Sequence, residues 1–435
     1  MEQLPLLRVT EDGRGLEYAD GENLGRPFIY LADTAWELFH RLTLDEAASY
    51  LHTRHQQGFN VYQAVALAEL GGLTEPNRNG DLPLIDLDPT RPNEPYWAHI
   101  DAVIALADEL KLFTALLPTW GDKWNKQGGM GPEIFTPENS RIYGRWIAER
   151  YRHNGIIWML GGNRRIENDS QLQIIRAMAT GIRDAVGDEQ LITFHPAGGH
   201  TSAEKLHDEP WLDFNTIQSG HVRQPQGNWV KISADYARTP IKPILDSEPN
   251  YEDHPVMVPP WNATDEWYTD HDVRTSAWRS LLAGAAGYTY GCHDIWQFFD
   301  PAQNPPVNHA RTPWPEALHL PGAEQAAAIG RLWRSFVQMR RPAPASHRIT
   351  LVSGDPDEQS KPHAAVTEDG WFAIIYAPGG SAASWAVELS EFHHPDTDVM
   401  LHDPVTLDVT EQFPLTSPIL TISGENEALW LIMRS

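Results

Sequence analysis

An eightfold alternation constrains this chain more than any other feature. From Pro27 onward, short runs rich in β-branched and aromatic residues take turns with amphipathic stretches, the pattern of repeated βα units around a parallel sheet. The strand candidates are Phe28 to Asp33, Asn60 to Ala66, Phe113 to Pro118, Ile156 to Gly161, Leu191 to His195, Phe214 to Gln218, Ile244 to Ser247 and Gly287 to Gly291. Eight such strands close on themselves, so the pattern predicts an α/β fold, a (β/α)8 TIM barrel. Helical patterns lie between them: Leu44 to Gln57, Tyr96 to Leu110, Ser140 to His153, Ser170 to Val186, a weaker Trp229 to Ala237, Val273 to Ala286 and Glu324 to Phe336. Thr43, followed by Glu46, has the form of a capping box. Asp169-Ser170 opens the fourth helix with capping chemistry.

The two ends follow other rhythms. Residues 1–26 carry turn signals at Glu11-Asp12-Gly13 and Asp20-Gly21 and predict a small β-hairpin capping the floor of a barrel that spans 27–342. Past Arg341-Pro342-Ala343-Pro344 come short strands at Ile349 to Val352, Trp371 to Tyr376, Ala383 to Leu389, Val399 to Leu401 and Leu429 to Met433. They predict a C-terminal antiparallel β-sandwich over 345–435.

Composition narrows the partners. A formal charge of −26, from 59 acidic against 33 basic residues, repels phosphate backbones and anionic lipid, so nucleic acid and membrane surfaces are not expected partners. No basic segment followed by an apolar run opens the chain, and no stretch of about eighteen apolar residues occurs. A single cysteine, Cys292, forbids an internal disulfide and fits a reducing compartment, so a cytoplasmic location is expected. Seventeen tryptophans and thirteen tyrosines supply flat faces that stack on sugar rings, although most such rings belong to cores.

In a barrel, residues at or just past the carboxyl ends of strands face the active-site mouth. Here they are Asp33, Thr34 and Trp36; Glu69; Trp120, Asp122 and Trp124; Asn163 and Arg164; His195 and His200; Gln218 and His221; Asp246, Glu248, Tyr251 and Glu252; His293, Asp294 and Trp296. Cleaving a glycosidic bond takes one carboxylic acid to protonate the leaving oxygen and one carboxylate to attack or to activate water. The mouth has those parts. A catalytic metal is not expected, because the first strand offers Leu31-Ala32-Asp33-Thr34 in place of His-x-His, and His195, His200 and His293 suit hydrogen bonding better. Gly161-Gly162 and Gly198-Gly199 lack a dinucleotide fingerprint, so no cofactor is implied.

Three segments, Tyr30-Leu31-Ala32-Asp33-Thr34-Ala35-Trp36, Gly161-Gly162-Asn163-Arg164 and Asp246-Ser247-Glu248-Pro249-x-Tyr251-Glu252, together resemble the apiosidase-like glycoside hydrolases over about residues 5–340. The tail resembles the small β-sandwich, labelled collagen-binding, that often follows this barrel; collagen binding does not follow from the label. The resemblance implies a (β/α)8 enzyme similar to the retaining-glycosidase clan, with an acid/base at strand four, a nucleophile at strand seven and a founding activity that removes apiose from pectin. Glu248 falls on the nucleophile position. The acid/base position, an Asp in the apiosidase pattern, is Asn163, whose carboxamide neither gives nor takes a proton near neutral pH.

Three explanations stand side by side for that amide: an engineered Asp→Asn change, a natural hydrogen-bond donor with proton transfer moved to Asp122, Glu167 or another mouth carboxylate, or loss of hydrolysis with sugar binding kept. The second is favoured because Arg164 and the rest of the mouth are retained. Asp33 and Trp36 are expected to bind sugar, although Asp33 capping the first helix is as simple. Trp120, Trp124, Trp267 and Trp296 are stacking candidates, and Arg164, His195, Gln218, His221, Tyr251, Glu252 and His293 candidate hydroxyl contacts. Long segments at Leu67 to Glu94 and His254 to Asp272 would wall the mouth into a pocket for a chain end, which favours exo-action on a plant-derived oligosaccharide or glycoside.

Overall fold

The structure is a computed structural model that describes residues 3–434; Met1, Glu2 and Ser435, at the outer ends of the expected first and last segments, lie outside the described residues. All eight expected strands are present: β1 (Tyr30–Thr34), β2 (Val61–Val65), β3 (Phe113–Leu117), β4 (Ile156–Gly161), β5 (Ile192–His195), β6 (Asn215–Ile217), β7 (Ile244–Asp246) and β8 (Gly287–Tyr290). Every residue in them is buried, as expected of parallel strands covered on both faces.

The hydrogen-bonded ladder is less complete than eight equal strands would give. Six strands form one curled parallel sheet in the order β8-β1-β2-β3-β4-β5, and β6 and β7 pair separately. Isolated bonds span the two seams. Asp213 N–H donates to Ile192 O at 2.9 Å beside β5, and Ala286 N–H donates to Ile244 O at 2.9 Å beside β8. The first seam has a local cause, because the loop after β5 takes the backbone groups that β6 would offer. Ser202 N–H donates to Thr216 O, Gly199 N–H to Gln218 O and Gln218 N–H to His200 O, at 2.9, 2.8 and 3.1 Å.

Polar side chains cross the interior of the curl. Tyr30 Oη donates to Gln63 Oε1 at 3.2 Å, and Gln63 Nε2 donates to Ser247 O at 3.0 Å, tying β2 to the residue just past β7.

The helices follow their sequence signals closely. Leu44–Gln57 begins with the expected capping box, in which Thr43 Oγ1 accepts from Glu46 N–H and Glu46 Oε2 accepts from Thr43 N–H at 2.8 Å. It ends at Gly58, whose φ of 108° lies where glycine is tolerated. The helix Asp169–Val186 is capped one residue earlier than expected, by Asn168, which accepts from Gln171 N–H at 3.0 Å. No helix among the described residues is long and apolar enough to cross a membrane.

At the N-terminus the expected hairpin is a three-stranded antiparallel sheet, Leu7–Val9, Leu16–Tyr18 and Pro27–Phe28. Leu4, Leu7, Leu16 and Phe28 share a buried cluster with Phe113 and Leu191, at the starts of β3 and β5. The C-terminal region forms two antiparallel sheets, of six and three strands. Side chains from both, including Ile375, Val399, Trp385 and Ile422, share one buried cluster. Strands His363–Val366, Val409–Pro414 and Ile419–Ser423 were not legible in the sequence; Val409–Pro414 is exposed at every residue and so carries no alternation of burial.

These sheets are fastened to the helix Asp270–Leu282, which lies between β7 and β8. The buried Arg274 donates from Nε to Glu427 Oε1 at 2.7 Å, Thr275 Oγ1 lies 2.8 Å from Tyr376 Oη, and Trp278 stacks on Tyr376 with ring centroids 6.0 Å apart.

Candidate active site

Glu248 sits two residues past β7 and is only 4% exposed. Its Oε1 accepts from Gln218 Nε2 at 2.6 Å and lies 3.2 Å from His221 Nε2, while Oε2 lies 3.0 Å from His195 Nε2. Burial alone would raise its pKa. The hydrogen bonds and charges of His195 and His221 outweigh that and hold it at about 2, so the carboxylate is ionised at any ordinary pH. His195 is itself positioned by Ser247, whose Oγ lies 2.9 Å from Nδ1.

Glu248 opens onto a cavity of about 540 Å3, within the range of roughly 300–1,000 Å3 typical of small-ligand clefts. Trp36, Trp120, Trp261 and Trp296 contribute aromatic wall. Glu69, four residues past β2, and Asn163, after β4, face the same space. A larger hollow of about 780 Å3 adjoins it and shares Gly199, Ser219, Gly220, Val222 and Gln224, but neither Glu248 nor Asn163 lines it. Glu248 and Asn163 therefore belong to the smaller cavity.

The double glycine explains how Asn163 reaches this rim. Gly162 has φ of 95°, and a Cβ there would meet Gly121 N at 2.5 Å and Trp120 Cα at 2.8 Å, so no side chain fits. Asn163 follows with φ of 57°, a left-handed conformation that Asn tolerates better than most residues. Its Oδ1 accepts from Gly198 N–H at 3.3 Å, which leaves the NH2 group as a donor for a hydroxyl.

Of the residues singled out from the sequence, Glu248, Asn163, Trp36, Trp120, Gln218, His221, Tyr251 and Trp296 line the cavity together. His195 is fully buried and acts behind Glu248. Others lie elsewhere. Asp122 is buried in an ion pair with Lys123 at 2.7 Å and accepts from Gly131 N–H at 2.8 Å. Asp33 points away from the mouth, accepting from Tyr50 Oη at 2.8 Å and Arg54 Nε at 2.6 Å, so it neither lines the cavity nor caps a helix. Trp124 belongs to the core and donates to Gly161 O at 3.1 Å. Arg164 turns back to donate to Asn163 O at 2.8 Å.

Glu252 accepts from Tyr290 Oη at 2.6 Å and Gly322 N–H at 3.1 Å, beneath the helix Pro321–Met339. His293 lies against Asn308 O at 2.9 Å, and Trp267 carries the Arg311 guanidinium 3.6 Å from its ring centre. Glu167 is exposed and off the cavity.

The segment expected to wall the mouth brings in two aromatic side chains that had not been singled out individually. His254 stacks on His221 at 4.2 Å, with a pKa lowered by burial and by its neighbours His221 and His293, and Trp261 approaches both His254 and His221 edge-on. Both lie on the hairpin segment after β7, whose strands Pro255–Val258 and Asn262–Trp267 carry no strong β pattern. Among the described residues, no group of three or more His, Cys, Asp or Glu is arranged to hold a metal ion.

A curled parallel α/β sheet that gathers an ionised carboxylate, a second carboxyl and tryptophan walls at its strand ends is the frame of a glycoside hydrolase. The chain belongs to the apiosidase-like family, whose catalytic-domain model matches residues 10–339. A solved structure described as a glycoside hydrolase is similar at 28% identity and a TM-score of 0.85, with 99% of this chain and 97% of that one covered. A glycoside hydrolase family 5 structure from Bacteroides vulgatus is similar at 28% identity and a TM-score of 0.84, with 99% and 93% covered. A family 5 mannosidase from Rhizomucor miehei shares the fold at 12% identity and a TM-score of 0.52, over 77% of this chain and all of that one. No curated protein matches the sequence.

Proposed function

We propose that this glycoside hydrolase is exo-acting and retaining, and that it releases a terminal sugar from pectin-type oligosaccharides or related plant glycosides, with Glu248 as nucleophile. The observation that carries this is the environment of Glu248: desolvated, held ionised by three donors and open to a walled cavity. Desolvation sharpens a carboxylate for attack on an anomeric carbon, and the donors fix its direction. Residues from the two long segments, Glu69 and Leu70 from one and Pro259, Pro260 and Trp261 from the other, line the cavity, and such walls suit a chain end better than a through-going polymer.

In this proposal the eight strands make a (β/α)8 barrel whose ladder is interrupted beside β6 and β7. Residues 27–342 are the catalytic unit, 1–26 its cap, and 345–435 a β-sandwich.

The test is a panel of nitrophenyl glycosides and pectic oligosaccharides, with products followed by NMR. A single monosaccharide released first in the substrate's own anomeric form, and lost in Glu248→Gln, supports the assignment. An inverted product, fragments cut from mid-chain, or binding without release overturns it.

A further inference from the structure

We infer that Glu69 is the group that passes the proton in this reaction, taking the part that Asn163 cannot. The inference rests on Glu248 being the nucleophile.

Position comes first. Glu69, Asn163 and Glu248 face one cavity. Counted through β8 and β1, β2 stands three strands from β7, the same separation as β4 counted through β5 and β6, so a carboxyl on the β2 loop flanks the nucleophile from the other side. The bond from Gln63 to Ser247 O shows that side chains of β2 reach across to the residue next to Glu248.

The Glu69 backbone is held on both sides. Lys123 Nζ donates to Ala68 O at 2.7 Å, and Leu70 N–H donates to the buried Glu37 Oε1 at 3.0 Å. Asp122, paired with Lys123, is a positioning residue in this arrangement. The Glu69 carboxyl itself takes no hydrogen bond or ion pair from the described residues, which leaves it available to a leaving-group oxygen.

Other carboxyls near the mouth are engaged. Asp246 accepts from Ser219 Oγ at 2.6 Å and Asn228 Nδ2 at 3.1 Å, and Asp294 from the N–H groups of Arg311 and Thr312 at 2.8 and 3.0 Å.

The electrostatics agree. Burial raises the Glu69 pKa to about 7; Arg164 opposes, Glu37 and Asp122 add to the rise, and Lys123 opposes weakly. A group that must donate and then accept a proton works best near the operating pH. In the first step the Glu69 proton moves to the glycosidic oxygen as the bond from that oxygen to the anomeric carbon breaks and Glu248 forms an ester to that carbon. In the second, the Glu69 carboxylate takes a proton from water, the water oxygen bonds to the anomeric carbon, and the Glu248 ester breaks. One water is consumed, and both side chains return to their starting states.

Glu69→Gln tests this on two glycosides of the sugar that the wild type releases, one with an alkyl leaving group and one with 2,4-dinitrophenol. The expected result is a loss of about 10²–10⁴-fold on the alkyl glycoside. The burst from the dinitrophenyl glycoside, which needs no protonation, should stay within about tenfold of wild type, and azide should restore turnover as the glycosyl azide. The basic limb of the pH profile near 7 should vanish, and Glu69→Asp should keep that limb at reduced rate. Equal losses on both substrates, no loss on either, or an unchanged pH profile in Glu69→Gln overturns the inference. An active Glu248→Gln enzyme would instead remove the nucleophile assignment, a separate failure.

Discussion

His221 Nε2 and Gln218 Nε2 meet the same oxygen of Glu248, and His221 approaches it at 3.2 Å from the loop after β6. Removing that donor leaves burial less opposed, so the Glu248 pKa rises from about 2 toward the ordinary glutamate value of about 4.3. In His221→Phe, an acid limb should therefore enter the kcat/KM profile between about pH 3 and 5, where the wild type shows none from this group. A pH–rate comparison checks it; coincident profiles would show that His221 does not set the ionisation of Glu248.

The same lowered pKa has a consequence for folding. A carboxylate whose folded pKa lies below its unfolded value stabilises the fold fully above the unfolded value, and this contribution fades as pH falls through the folded one. Glu248 should thus cost the protein stability between about pH 4 and 2. Thermal unfolding of wild type and Glu248→Gln over that range should show a shallower acid dependence in the variant.

Glu248→Gln keeps shape while removing negative charge and nucleophilicity. Turnover should drop on the order of 10⁴-fold or more, on alkyl and dinitrophenyl glycosides alike. This common loss separates it from Glu69→Gln, whose loss depends on the leaving group.

Asn163→Asp places a carboxyl beside Gly198 N–H, which would hold it ionised, while Glu69 still carries the proton. Activity should change little or fall. A gain of about 10²-fold or more would return the acid/base role to position 163 and displace Glu69.

Asp33→Ala should behave as a structural lesion. It strands the fully buried Arg54 without its carboxylate, a change that costs about 3–5 kcal/mol. A lowered urea midpoint with an unchanged KM would fit this position; a raised KM with unchanged stability would restore Asp33 to the sugar site.

The sequence revealed the strands well because every residue in the eight is buried, so β-branched, aromatic and other apolar residues predominate even where a polar residue such as Gln63 or Asn215 intervenes. It revealed the strand-end ring less well, since proximity to an end does not say which way a side chain points. In β1 the alternation settles it: Tyr30 and Ala32 belong to the inner cluster, so Asp33, one residue on, turns outward to Tyr50 and Arg54. His195 ends β5 and His293 follows β8, yet one orients Glu248 and the other lies against Asn308 O, a difference that position along the chain does not reveal. Glu69 was legible as a mouth residue, but its freedom from partners emerges only from the backbone anchors around it.

The junction between Arg274 and Glu427 bears on how this molecule can be shortened. Ending the chain near residue 342 would leave the buried Arg274 guanidinium with Asp270 alone of its two carboxylate partners and bare the Trp278 face, on the very helix that leads from the cavity's hairpin wall into β8. The C-terminal sheets therefore serve as a brace for that wall, and a chain cut there should loosen first beside the cavity.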